Sequence, residues 1–127
     1  MGLTITKTRR SPGELERISL ALVSDSGGDV SDTVPGLDGT IEQIDFVPSQ
    51  GSGTQPTNDF DVTLLDGSGV DALGGTGADL ANDAITTIRI NGQTDAGLPR
   101  AVMGPHTLAA SNMGAAAECT INIYFRR

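Results

Sequence analysis

The chain has 127 residues, enough for one domain with a buried core. Sixteen acids against eight bases leave a net charge of −8, and the aromatics are three Phe and one Tyr, with no Trp. An acidic chain poor in aromatics is a poor general binder of nucleic acid. No apolar run approaches the ~18–20 residues of a transmembrane helix, and a lone cysteine, Cys119, makes neither an internal disulfide nor a zinc site.

The pattern along the chain has period two, the period of strands. Leu3, Ile5 and Lys7 alternate with Thr4, Thr6 and Thr8. This is not the charge-first, apolar-second order of a secretory signal, so synthesis in the cytoplasm is expected. Ile18, Leu20 and Leu22 then alternate with Ser19, Ala21 and Val23, and Ser26-Gly27-Gly28-Asp29 turns the chain. A short strand is expected over 30–34, a turn over 35–39, and a further strand from Ile41 to Val47. Residues 49–58 read as a loop. In the next strand Phe60, Val62 and Leu64 share one face, with Asp59, Asp61 and Thr63 on the other. Gly67-Ser68-Gly69 ends it. Residues 74–84 read as an irregular excursion with room for one helical turn at 78–82. Strands follow at 86–90, 101–103 and 107–110, with a turn at Asn91-Gly92 and a loop over 93–100. In the last strand Cys119, Ile121, Ile123 and Phe125 alternate with Thr120, Asn122, Tyr124 and Arg126. The final two strands are expected to pair as an antiparallel hairpin.

About eight short strands with a turn every 8–12 residues predict an all-β fold, an antiparallel β-sandwich of jelly-roll or immunoglobulin-like type. The whole of 1–127 forms one domain in this reading, with 1–13 as a basic N-terminal arm or edge strand. Charge is unevenly spread. Residues 1–17 carry four bases against two acids and residues 126–127 add two bases, whereas 18–125 carry fourteen acids against two bases. An acidic body with basic ends predicts docking on an acidic partner through Lys7, Arg9, Arg10, Arg126 and Arg127. Arginine binds carboxylates bidentately, which lysine does not.

Other constellations fit their chemistry less well. Gly74-Gly75-Thr76-Gly77-Ala78-Asp79 follows a calcium-binding nonapeptide, but one copy has no neighbouring turn to complete an oxygen shell of ~6–8 ligands. Asp59, Asp61, Asp66 and Asp71 lack the spacing of an EF-hand and read as a solvated face. Together with Asp79 they supply the one alternative of another class, a calcium- or carbohydrate-binding β-sandwich. His106 and Cys119 form a conceivable catalytic pair if both lie on one hairpin. No element presents a serine nucleophile, and no enzyme is predicted. Cys119 reads as a small buried hydrophobe. No cofactor, metal site or catalytic residue is assigned.

Two blocks carry a resemblance. The first runs Pro56-Thr57-Asn58-Asp59-Phe60-Asp61-Val62-Thr63-Leu64-Leu65-Asp66 and on through Gly69-Val70-Asp71-Ala72-Leu73-Gly74-Gly75-Thr76-Gly77. The second joins His106-Thr107-Leu108-Ala109-Ala110-Ser111-Asn112-Met113-Gly114 to Thr120-Ile121-Asn122-Ile123-Tyr124. Together, over about half the chain, they resemble small structural proteins encoded among the head and tail genes of tailed bacteriophages and prophages, with Phe60 where a Tyr is expected. The resemblance implies a virion protein without a catalytic centre. The leading expectation is a capsid decoration or cement protein that stabilises the head lattice. A head–tail, neck or fibre-anchoring protein is the alternative. It implies the major capsid protein or other virion proteins as partners and a homo-oligomer, a trimer foremost, with neither nucleic acid nor membrane bound. Assembly into the virion in the host cytoplasm follows.

Overall fold

The computed structural model describes residues 2–8, 15–35, 37–51, 53–89 and 100–126. Among them nine strands form two antiparallel sheets. They are β1 (Gly2–Thr8), β2 (Glu16–Val23), β3 (Val30–Val34), β4 (Gly39–Pro48), β5 (Asp61–Leu65), β6 (Thr86–Arg89), β7 (Arg100–Val102), β8 (His106–Ser111) and β9 (Glu118–Arg126). The larger sheet runs β1-β2-β9-β4-β6, with β7 also on β4, and the smaller runs β3-β8-β5. The antiparallel β-sandwich expected from period two is thus the observed fold.

The alternation sets which side chains fill the space between the sheets. Ile18, Leu20 and Leu22 of β2, Cys119, Ile121, Ile123 and Phe125 of β9, Val62 and Leu64 of β5, and Leu108 and Ala110 of β8 are buried in one continuous cluster. All three Phe residues, Phe46, Phe60 and Phe125, are fully buried there. Each large apolar side chain so enclosed contributes about 1.5–3 kcal/mol. The scarce aromatics are therefore concentrated where they bury most area.

The expected terminal hairpin is not formed. β8 pairs with β3 and β5, while β9 pairs with β2 and β4. Residues 112–117 arch the chain from one sheet to the other, with Asn112 and Ala116 at φ 60° and 52° and Gly114 at 85°. Both strands carry a full apolar alternation, and each buries it against the other's sheet. Period two defines the inner face of a strand but not its edge partner, so hairpin and arch look alike in the sequence.

Residues 74–84 are the expected irregular excursion, and the helical turn for which 78–82 had room is absent. Asp79 has φ 52° and Leu80 bridges Phe60. The stretch 66–80 folds back along the outer edge of β5. The Val62 N–H donates to the Gly77 carbonyl at 2.7 Å and the Ala72 N–H to the Leu64 carbonyl at 2.7 Å. A Cβ on Gly77 would stand 2.2 Å from the Val62 carbonyl oxygen, so this approach requires glycine. The Asn91-Gly92 turn, Ile90 and the loop at 93–99 lie outside the described residues.

Candidate docking surface

The carboxylates of the Asp-rich region mostly hold backbone. Asp66 Oδ1 accepts from the Val70 and Ser68 N–H groups at 2.9 and 2.8 Å, and these bonds hold its carboxyl below the usual carboxylate range. Asp71 accepts from Leu64 and Leu73 on Oδ1 and from Gly75 on Oδ2, each at 3.0 Å. Asp61 accepts from the Asp79 N–H at 2.9 Å and from Asn112 Nδ2 at 2.9 Å. Asp59, with φ 65°, stands outside the strand and does not share a strand face with Asp61. Among the described residues no group of three or more His, Cys, Asp and Glu side chains is placed to hold a metal ion. These aspartates are caps of an edge-covering loop.

His106 and Cys119 are both buried, but in different sheets. His106 begins β8 and Cys119 stands at the start of β9, just beyond the arch at the far end of β8. Five residue steps of β8, about 17 Å at ~3.3 Å each, separate the His106 end from that arch. The pair imagined on one hairpin does not come together. His106 Nδ1 lies 3.1 Å from the Gly104 carbonyl, which makes Nδ1 the protonated nitrogen. Burial pushes the Cys119 thiol up to about 12, so at neutral pH it is a protonated core side chain.

What remains is the edge of the larger sheet and its bases. β1 is the terminal strand of that sheet, seven residues without Pro or bulge, and among the described residues β2 is its one strand partner. Ile5 packs on the core while Thr4 and Thr6 are exposed. The edges elsewhere are managed. β5 is covered by 66–80, and the far side of β4 is taken by the short β6 and β7. β3 is only five residues long and carries Asp32 opposite the buried Leu108 at its middle, whereas the seven-residue β1 carries its one charge, Lys7 opposite the buried Ile18, at its last position but one.

Register then gathers the bases. Thr8, Arg17, Tyr124, Gln43 and Arg89 form one row across β1, β2, β9, β4 and β6. Lys7 stands in the row of Ile18 and Ile123, Arg100 in that of Ile41 and Phe125, and Arg126 opposite Thr40. Every base among the described residues therefore falls within the rows Ile123 to Arg126 of β9, a band about 10 Å deep, but Lys7 and Arg100 are on the inward rows and Arg17 and Arg89 on the outward one, and Glu16 and Glu42 share the band. Arg17 is exposed. Arg126 donates from Nε to Glu42 Oε1 at 3.1 Å, with half of its side chain exposed, so part of its charge is already met within the chain. Glu42 is available there because it is the extra residue of a bulge between Ile41 and Gln43. Of the arm residues expected to dock, Lys7 is the last residue but one of β1, whereas Arg9, Arg10 and Arg127 lie outside the described residues. Arg17, Arg89 and Arg100 were not among the expected docking residues, since only strand pairing brings them to the band.

The opposite end of the sandwich is acidic. There the loops at 24–29, 49–59 and 112–118 are tied by hydrogen bonds, among them Ser24 N–H to the Ala117 carbonyl, Ala116 N–H to the Asp25 carbonyl and Glu118 N–H to the Thr54 carbonyl. Asp25, Asp29, Asp59, Asp79, Asp83 and Glu118 are exposed on this end, and no base stands there among the described residues. Asp25 accepts from Asp29 and Gly27 N–H groups, which lower its pKa.

No protein-family model and no curated protein matches the chain. Among solved structures it is similar to PliG of Aeromonas hydrophila, a periplasmic inhibitor of g-type lysozyme. That match covers 87% of this chain and 85% of the other, at 11% identity and a TM-score of 0.35.

Proposed function

We propose that this chain is a non-enzymatic structural protein of a tailed-phage virion, and specifically a decoration protein that docks on the capsid surface. The observation that carries the docking mode is the β1 edge, seven regular residues whose one charge stands near its end, beside edges that a loop covers or that short strands form. An uncovered regular edge is a template for an added strand, and main-chain hydrogen bonds supply the affinity. Lys7, with Arg9 and Arg10 following in the sequence, puts positive charge at the end of that template for an acidic partner. The virion assignment rests on the resemblance of the 56–77 and 106–124 blocks. A role without catalysis is in keeping with the separation of His106 from Cys119 and with the structural use of the aspartates.

The test is incorporation. Virions are assembled with the full chain or with a chain lacking residues 2–10, and the protein is quantified in purified particles. The proposal expects loss of the truncated chain from particles while its soluble form stays folded. Equal incorporation removes the β1 docking mode, and absence of the full chain from particles removes the virion role. Copy number separates head from neck, because a lattice protein is present in hundreds of copies and a ring protein in about a dozen.

A further inference from the structure

We infer that two copies of the free protein pair through β1 about a two-fold axis, so that their larger sheets join into one. The inference rests on the reading of β1 as an open template and names the first partner of that template. It does not depend on the virion assignment.

The occupant follows from how β1 reads against itself. An antiparallel pair with its axis at Ile5 sets Gly2 against Thr8, Leu3 against Lys7, Thr4 against Thr6 and Ile5 against Ile5, and so uses the whole strand. Residues opposite each other in such a pair share a face of the sheet. Leu3, Ile5 and Lys7, in register with the buried Leu22, Leu20 and Ile18, therefore meet only each other. The exposed Thr4 and Thr6 meet on the outer face, and facing threonines are a favourable cross-strand pair. The ladder gains about six to eight main-chain hydrogen bonds, depending on which residues turn their N–H and C=O outward.

Other registers fit less well. A slip of one residue sets the inner row of one copy against the outer row of the other. An axis at Thr6 brings the two Lys7 within two residue steps along the strand, about 7 Å. The axis at Ile5 holds them four steps apart, about 13 Å, beyond the ~10 Å over which charges act at 0.1 M salt. An axis at Thr4 pairs only Gly2–Thr6. The same construction on β3, which packs across from β1, sets Asp32 against Asp32 at the axis, so β3 does not make the join.

Charge favours β1 as the meeting place. Two copies at −8 repel, and Gly2–Thr8 holds one base and no acid. The joined sheet runs β6-β4-β9-β2-β1-β1-β2-β9-β4-β6 and leaves no β1 edge free. A two-fold contact of this kind is closed, so assembly stops at two copies rather than the three that the phage resemblance implies. Docking on another protein through β1 then exchanges the second copy for a strand of that partner.

The test is sedimentation velocity on the whole chain over a range of concentration. The wild type is expected to pass from monomer to dimer. Two variants change only the exposed Thr4 and Thr6, and melting curves check that both fold. Thr4→Lys with Thr6→Lys sets like charges opposite each other twice, and its dimer is expected to be about tenfold weaker or more. Thr4→Lys with Thr6→Glu sets opposite charges together in this register alone, and its dimer is expected to hold within about threefold of wild type. A wild type that stays monomeric at the highest concentration overturns the inference and leaves the β1 docking mode to the incorporation assay. A wild-type trimer overturns it as well. So does a Lys–Lys variant that dimerises like wild type, or a Lys–Glu variant as weak as Lys–Lys.

Discussion

Replacing Asp71 with Ala removes the hub of the loop that covers β5. Its carboxylate accepts three backbone N–H groups, those of Leu64, Leu73 and Gly75, each at 3.0 Å. The Gly75 donor is exposed and regains water at little cost. The Leu64 and Leu73 donors are part-buried, and a buried donor left without a partner costs about 1–3 kcal/mol. The expected loss for the two donors together is therefore about 2–6 kcal/mol, a large share of the ~5–15 kcal/mol that holds a domain. Asp71→Asn keeps an oxygen facing those two donors and gives up the charge and the exposed Gly75 bond, where its amide N–H now meets another donor, for about 1 kcal/mol. Urea denaturation reads both variants. The midpoint falls while the slope is unchanged, and Ala is hit harder than Asn. Loss of the loop also frees the Leu64 N–H on an outer edge, so the Ala variant is expected to self-associate at high concentration. An Ala variant within about 0.5 kcal/mol of wild type, or an Asn variant as damaged as Ala, refutes this account of the acidic loop.

Gly77→Ala places a methyl group 2.2 Å from the Val62 carbonyl oxygen, and the crowding is expected to cost about 1–3 kcal/mol or more in the same assay; a neutral result contradicts the close approach. Cys119, buried and with its thiol pushed up to about 12, is expected to resist alkylation in the native protein at pH 8 and to react once denaturant is added. Its raised pKa favours the folded state below the ordinary thiol value of 9.0, and that contribution is lost as pH climbs towards 12. Asp25 and Asp66 are shifted the other way. Their contribution is present above the ordinary value of 3.8 and is lost as pH falls through their lower folded values, so NMR titration should place both midpoints below 3.8. Midpoints at or above that value contradict the turn-capping role.

The inner faces of the sandwich were legible because they are local. Phe60, Val62 and Leu64, and Cys119, Ile121, Ile123 and Phe125, announce themselves by alternation, and all are buried. Strand partners were not legible, since pairing depends on residues far off in the chain. That is why β8 and β9, each a convincing strand, read as a hairpin and are instead joined by an arch between sheets. The aspartates at 59–79 read as a solvated face, with calcium or carbohydrate binding as the alternative, and their backbone-capping role was not legible. A metal ligand and a turn cap use the same carboxylate, and only the fold-back of 66–80 onto β5 separates the two. The basic surface was half legible. Lys7 and Arg126 lie near the chain ends, where the charge count pointed. Arg17 and Arg100, 83 positions apart, are brought to one end of the larger sheet by β9 and β4, and nothing in their neighbouring residues foretells it.

The most direct test of the account is the amount of this protein in purified virions when β1 is intact and when it is removed. The account predicts stoichiometric full-length protein in wild-type particles and almost none of the chain lacking residues 2–10, although that chain folds in solution. Particles carrying both forms equally, or carrying neither, contradict it.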